Sequence, residues 1–380
     1  MKAIIIGAGI GGLSTAIALR NAGVEVVIYE QASVIREVGA GLSLWPNATK
    51  ALEKLGLGAA LKQISVPQAD GGIHDWHGKI ISAASTEFIE REFGAPVIIA
   101  HRAELLAMLT EAAQGIPMHL GTRLKQYKQD GTSITAIFEN GQRETADLLI
   151  GADGIKSVVR NQMLGSLHPP RYAGYTAWRA IAKFDYSSNA DYWGESWGRG
   201  ARFGLAPVSN GRVYWFAVLN APENTPTPPE GDKAYLLNQF GNWHHPIADL
   251  INATHESVIL HNDIYDVEPL TRWTDGRVAL LGDSAHAMTP NLGQGACQAL
   301  EDAVALGSAI QSTSDVGLAL ANYQTKRMAR ANVIVNQSRR IGQVGQLSNP
   351  IACWLRDNLF RNLPTGMRNQ QIANVVGHEI

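Results

Sequence analysis

The chain has 380 residues, 45% of them hydrophobic and 17% charged, with a formal net charge of −2. That balance suits a globular protein with one large or two moderate cores and offers no general attraction for nucleic acid. No apolar run is long enough to span a bilayer, and a strand begins at the second residue without a leader layout, so a cytoplasmic location is expected.

Lys2 to Ile6 is a short apolar run of the buried parallel-strand kind, and Leu13 to Asn21 has helical spacing with Ala16 and Leu19 on one side. Between them stands Gly7-Ala8-Gly9-Ile10-Gly11-Gly12. Gly7 permits a tight turn, Gly9 lets the backbone approach a phosphate, and Gly12 lets helix and strand pack closely. The helix N-terminus then offers unpaired N–H groups to an anion. A second strand from Val24 to Tyr29 leads to Glu30, 18 positions beyond Gly12, placed to accept hydrogen bonds from an adenosine ribose. A carboxylate there disfavours a 2′-phosphate and suits FAD or NAD, two dinucleotides this segment alone does not separate.

Gly39-Ala40-Gly41 and the apolar run Leu42 to Trp45 precede a helix opened by Pro46-Asn47. Ile73 to Ile89 alternates in part, with Gly78 at a turn, and predicts an antiparallel hairpin. A helix begins at His101-Arg102, a strand covers Met118 to Leu120, and a meander runs from Leu124 to Phe138. Ala146 to Ile150 is a strand that leads into Gly151-Ala152-Asp153-Gly154, by itself a turn.

From Tyr172 to Leu260 the chain is rich in Trp, Tyr, Phe and Thr, the composition of an inserted sheet. After it, Val278 to Leu281 returns to the first unit. Helices follow over Ala303 to Ile310, Val316 to Arg330 and Val333 to Gly345, with a break at Pro350. The expected units are 1–72, 96–170 and 262–335 for the dinucleotide domain, 73–95 and 171–261 for the sheet domain, and 336–380 for a helical tail. Within the tail, Trp354, Leu355, Leu359 and Phe360 suit ordinary helix packing, a cap over a pocket, or a membrane contact. Cys297 and Cys353 form neither a disulfide framework nor a metal-ligand pattern, and no metal is expected; both read as buried apolar side chains.

The second informative segment is Arg277 to His286. Asp283 follows a buried strand, where it would meet a polyhydroxyl chain such as the flavin ribityl group. Pro290-Asn291-Leu292-Gly293-Gln294-Gly295-Ala296 then opens a helix whose N–H groups suit negative charge on a reduced flavin. The two glycine segments together describe a bound flavin.

On these residues the chain resembles the group A flavoprotein monooxygenases, the aromatic hydroxylases of the para-hydroxybenzoate hydroxylase fold. The glycine motif with Glu30 is similar to the family's FAD motif, Asp153-Gly154 with Ser157 and Arg160 to its DG motif, and Gly282-Asp283 to its GD motif. Arg171 to Thr176 and Pro290 to Gly295 resemble the urate hydroxylase, zeaxanthin epoxidase and salicylate or 3-hydroxybenzoate hydroxylase branch.

The resemblance implies an α/β fold: a Rossmann-like FAD-binding domain, an inserted mainly β substrate domain and a helical C-terminal tail. It implies that FAD is held by Gly7, Gly9, Gly11, Gly12, Glu30, Arg36, Gly41, Arg102, Asp153, Arg160, Asp283, Pro290, Gly293, Gly295 and Ala296. With one dinucleotide fold present, NADH or NADPH would dock transiently as co-substrate. Reduced flavin and O2 would form a C4a-hydroperoxide that oxygenates an electron-rich carbon, while the protein orients the substrate and excludes water.

The same resemblance places Arg202 and Tyr214 where urate hydroxylases bind substrate, although those enzymes carry Asp where this chain has Asn291. Arg202 alone reads equally as a structural ion pair. His286 reads as a general base for a phenol or as a local hydrogen-bonding group. The expected partners are a small aromatic substrate, NAD(P)H and O2, for a monomer or homodimer. An epoxidase or tailoring oxygenase of a bulky polyene or polycycle, and a non-catalytic flavin-binding redox or scaffold protein, stand as the alternatives.

Overall fold

The apolar runs at 2–6, 25–29 and 148–151 become parallel neighbours because each is buried on both faces. The computed structural model describes residues 1–35, 40–68, 70–165, 168–185 and 193–377, so Arg36 lies outside the described residues. Lys2–Ile6 is flanked by Glu25–Tyr29 and Leu148–Gly151; Met118–His119 extends one side, and Val278–Leu280 with Thr274–Asp275 the other. All pairings are parallel except the last. The helices Ile10–Asn21 and Gly295–Ser312 lie against each other on this sheet. Their approach is close: a Cβ on Gly307 would stand 3.0 Å from the Cβ of Ala18.

A seven-stranded sheet forms the second layer, in the order Leu260–Asp266, Arg171–Lys183, Arg212–Asn220, Ala201–Val208, Gly194–Trp197, Gly71–Asp75 and Ile80–Ala84. Period-two alternation divides its residues between two faces. Val213, Trp215, Ala217 and Leu219 join Trp178 and Phe203 in one core, and Tyr214, Phe216 and Val218 face a cavity on the other side. The first face is covered by Asp232–Phe240 and Ile247–Ala253, two helices that the expected sheet composition did not reveal.

Two further expectations are corrected. The hairpin with Gly78 at its turn ends at Ala84, and Thr86–Phe93 is a helix, because Ser85 caps it by accepting from the Phe88 N–H and Gly94 ends it in a left-handed conformation. The two helices expected over 316–345 are one 30-residue helix, Val316–Gly345, since Ala331 and Asn332 contain no breaker. After it come Pro350–Arg361 and Thr365–Val376. Phe360 packs edge-on against Trp197 at 5.5 Å. Ile351, Trp354, Leu355 and Leu359, however, are 56–70% exposed, so ordinary packing does not account for that helix face. Both cysteines are buried, and burial pushes the Cys297 thiol up to about 12. Among the described residues no helix is long and apolar enough to cross a membrane, and no group of side chains could hold a metal ion.

Candidate cofactor and substrate site

The first glycine segment forms a cradle. Gly7 has φ +108°, and a Cβ there would meet the Ala152 carbonyl oxygen at 2.2 Å; one on Gly12 would meet the Gly7 oxygen at 2.0 Å. On Gly9, by contrast, it would meet nothing within 4 Å. Gly9 lines a cavity and is the N-cap of Ile10–Asn21, whose N-terminus has no side-chain cap. Open space, uncapped N–H groups and a helix dipole are what a pyrophosphate requires. Glu30 supports this turn, accepting from the Ala8 and Ala32 N–H groups, each at 2.8 Å.

The second segment is anchored from below by buried charges. Asp302 accepts from the Gly282 N–H at 3.1 Å, from His286 Nε2 at 2.6 Å and from Arg327 Nε at 2.7 Å. Glu301 pairs with Arg327 and Arg330 and accepts from Asn47. Burial works against ionisation of both carboxylates, but the neighbouring cations overcome it and hold each below the usual carboxylate range.

His286 belongs to this cluster. It is 1% exposed and does not line the cavity, which corrects the general-base expectation: the single turn Asp283–His286 puts Asp283 at the cavity wall and His286 behind it. Asp153 and Arg160 also stand behind the wall. The Asp153 carboxylate accepts from the Val158 N–H at 2.7 Å and from Ser284 Oγ at 3.0 Å, and Arg160 donates to the Ser284 carbonyl at 3.2 Å. Together they tie the Asp153-Gly154 turn to the Gly282-Asp283 turn, leaving Gly154, Gly282 and Asp283 at the surface of the cavity.

That cavity, of about 430 Å3, joins the two layers. Gly9, Gly11, Gly41, Arg102, Asp283, Pro290, Gly293, Gly295 and Ala296 line it from the first layer, with Asn291 beside them. From the seven-stranded sheet come Ala177, Arg179, Arg202, Tyr214, Phe216 and Val218, with Ile264. Gly41 is where the layers touch: a Cβ on it would lie 2.4 Å from the Tyr214 ring. Tyr214 makes no hydrogen bond among the described residues, and burial holds its phenol above the usual range against the opposing influence of Arg179 and Arg102.

Arg202 is 2% exposed and fully engaged: Nε donates to Gln346 at 2.8 Å, NH1 to Glu195 at 3.0 Å and NH2 to Asn291 Oδ1 at 2.8 Å. The salt-bridge alternative for this residue is therefore present in the structure. Sequence reasoning missed Arg179, Phe216, Val218 and Ile264. The alternation from Tyr214 identifies 216 and 218, and strand register then places Arg179 opposite Phe216.

The cradle, the uncapped helix ends and the polar turns fit FAD. Residues 1–338 match the family described as FAD binding domain. The chain belongs to the group A flavoprotein monooxygenases. This monooxygenase is 41% identical to the aurachin C monooxygenase/isomerase of Stigmatella aurantiaca, over 95% of this chain and 94% of that one. It is 36% identical to an FAD-dependent urate hydroxylase of Klebsiella pneumoniae, over 99% and 100%. The crystal structure of Klebsiella pneumoniae HpxO complexed with FAD and uric acid superposes with a TM-score of 0.93 at 32% identity, covering 99% and 96% of the two chains. The monooxygenase is thus an FAD enzyme of the aromatic hydroxylase type acting on a small molecule.

Proposed function

We propose that the protein uses NADH or NADPH and O2 to hydroxylate an aromatic or heteroaromatic ring, acting in the cytoplasm as a monomer or homodimer. The observation that carries this reading is the continuity of one cavity, from the Gly9 cradle to the aromatic face of Tyr214 and Phe216. Bound FAD supplies electron transfer and oxygen activation. In this reading the residues of 1–72, 96–170 and 262–335 hold it. The Gly9 and Gly295 helix N-termini receive its negative charges, and Glu30 and Asp283 face its hydroxyl groups. Arg102, Gly41, Pro290, Gly293 and Ala296 shape its bed, and Asp153 and Arg160 position that bed from behind. The sheet of 73–95 and 171–261 orients the ring, with Phe216, Val218 and Ile264 excluding water, and 336–380 closes the end near Arg202.

Urate is not the favoured substrate. Asn291 Nδ2 donates to the Ser338 carbonyl at 2.9 Å, a bond that the aspartate of the urate enzymes could not make. The relative named for aurachin C supports a different ring. The test is oxidation of NADH and NADPH by the purified yellow protein with urate, hydroxybenzoates, salicylate and polycyclic phenols. Stimulated oxidation with a hydroxylated product supports the reading; background rates with all of them at full FAD occupancy overturn it.

A further inference from the structure

Arg179 is a cation in the cavity wall to which the described residues bring no counter-charge. It lies opposite Phe216 on the cavity face of the sheet, with Tyr214 two residues along the neighbouring strand. Among the described residues its one hydrogen bond runs from NH2 to the neutral Asn262 Oδ1 at 2.9 Å. Its Nε is buried without a partner, and among the described residues no carboxylate lies within 4.0 Å of the guanidinium. Three other charges of the cavity wall are matched: Arg202 and Glu195 pair with each other, and Asp283 has Arg160 as a charged neighbour. Phe216, opposite Arg179 across the strand pair, cannot solvate a cation, and Val218 and Ile264 add further apolar surface to the same cavity. A half-buried charge with an unmet donor is costly unless whatever fills the space supplies the counter-charge.

We propose that Arg179 and the Tyr214 hydroxyl recognise an anionic oxygen carried on the substrate's ring, and that Arg202, neutralised by Glu195, does not. This inference rests on reading the protein as an aromatic hydroxylase. The guanidinium donates through its terminal N–H groups, Tyr214 donates its O–H, and the ring lies along Phe216 and Val218. Arg202 holds the wall in place through Gln346 and Asn291.

The experiment is calorimetric titration of the FAD-loaded protein, without NAD(P)H, using 1-naphthol, 1-naphthoate and 1-methoxynaphthalene as probes. The wild type is expected to bind 1-naphthoate, or 1-naphthol taken up as its naphtholate, about tenfold more tightly than the ether, the acid that binds identifying the source of the oxygen. Arg179→Gln should bring the three within about twofold at unchanged FAD content, and Arg179→Lys, which keeps the charge but loses the fork of donors, should retain part of the preference. Equal affinities in the wild type, no binding of either acid, or a preference that survives Arg179→Gln would overturn the inference. Loss of FAD by Arg179→Gln with the preference intact would assign the guanidinium to the flavin instead. Because the readout is affinity, a failure of hydroxylation counts against the functional reading without deciding this one.

Discussion

Asn291 accepts from Arg202 NH2 through Oδ1 at 2.8 Å while its Nδ2 donates to Tyr175 Oη, Thr289 Oγ1 and the Ser338 carbonyl. The amide is thereby fixed in one orientation, acceptor toward the cation and donors toward oxygen. Asn291→Asp would turn a second acceptor toward the Ser338 carbonyl. It is expected to cost about 1–3 kcal/mol, read as a lowered urea midpoint at an unchanged slope.

Arg202 and Glu195 give a second test. Arg202→Met leaves the Glu195 carboxylate and Asn291 Oδ1 without their donor, at an expected cost of about 3 kcal/mol. Adding Glu195→Gln should recover part of that loss. A double variant no more stable than Arg202→Met would show that the ion pair is not what Arg202 contributes.

In the cradle, Gly9 and Gly12 should respond differently. Gly9→Ala adds a methyl group where nothing lies within 4 Å, so the apoprotein should melt as the wild type does while FAD binds about tenfold more weakly. Gly12→Ala drives Cβ into the Gly7 carbonyl and should impair folding as well as FAD binding. Melting curves of apo and FAD-loaded protein separate the two effects.

The buried cluster predicts a pH dependence. Glu301 and Asp302 have depressed pKa values in the folded state, so their contribution is present above the unfolded carboxylate value of about 4 and lost as the pH falls through the lower folded values. Arg327→Met should cost about 3–5 kcal/mol near neutrality, and its deficit against the wild type should narrow below about pH 4. Urea midpoints across that range provide the check, and a deficit independent of pH would count against charge pairing as the cause.

The glycine turn, the strands around it and the GD segment were legible in the sequence because each depends on local geometry: a positive φ at Gly7, an uncapped helix start, an apolar run of five residues. His286 was not legible, since only two residues separate it from Asp283 in sequence, while the fold leaves Asp283 at the cavity wall and buries His286 against Asp302. The Arg202 and Glu195 pairing arises from antiparallel register between two strands, and Asn291 reaches them from a distant loop. Phe216 could have been found by carrying the alternation two residues beyond Tyr214. The exposed side chains of Pro350–Arg361 have the i, i+3, i+4, i+8 spacing of an ordinary packed helix, and only the fold shows that, among the described residues, this face stays more than half exposed.

The helix Val316–Gly345 brings the two halves of the site under one constraint. Arg327 near its middle grips Asp302 below the flavin turn, Ser338 holds Asn291, and Gln346 just past its end holds Arg202. These three holds fall along a single rod about 45 Å long, at a fixed spacing set by the helical rise. The helix acts as a ruler between the cofactor's floor and the wall of the substrate pocket. A change that tilts it must misalign both together, so mutations along its length should disturb flavin seating and ring orientation as one trait.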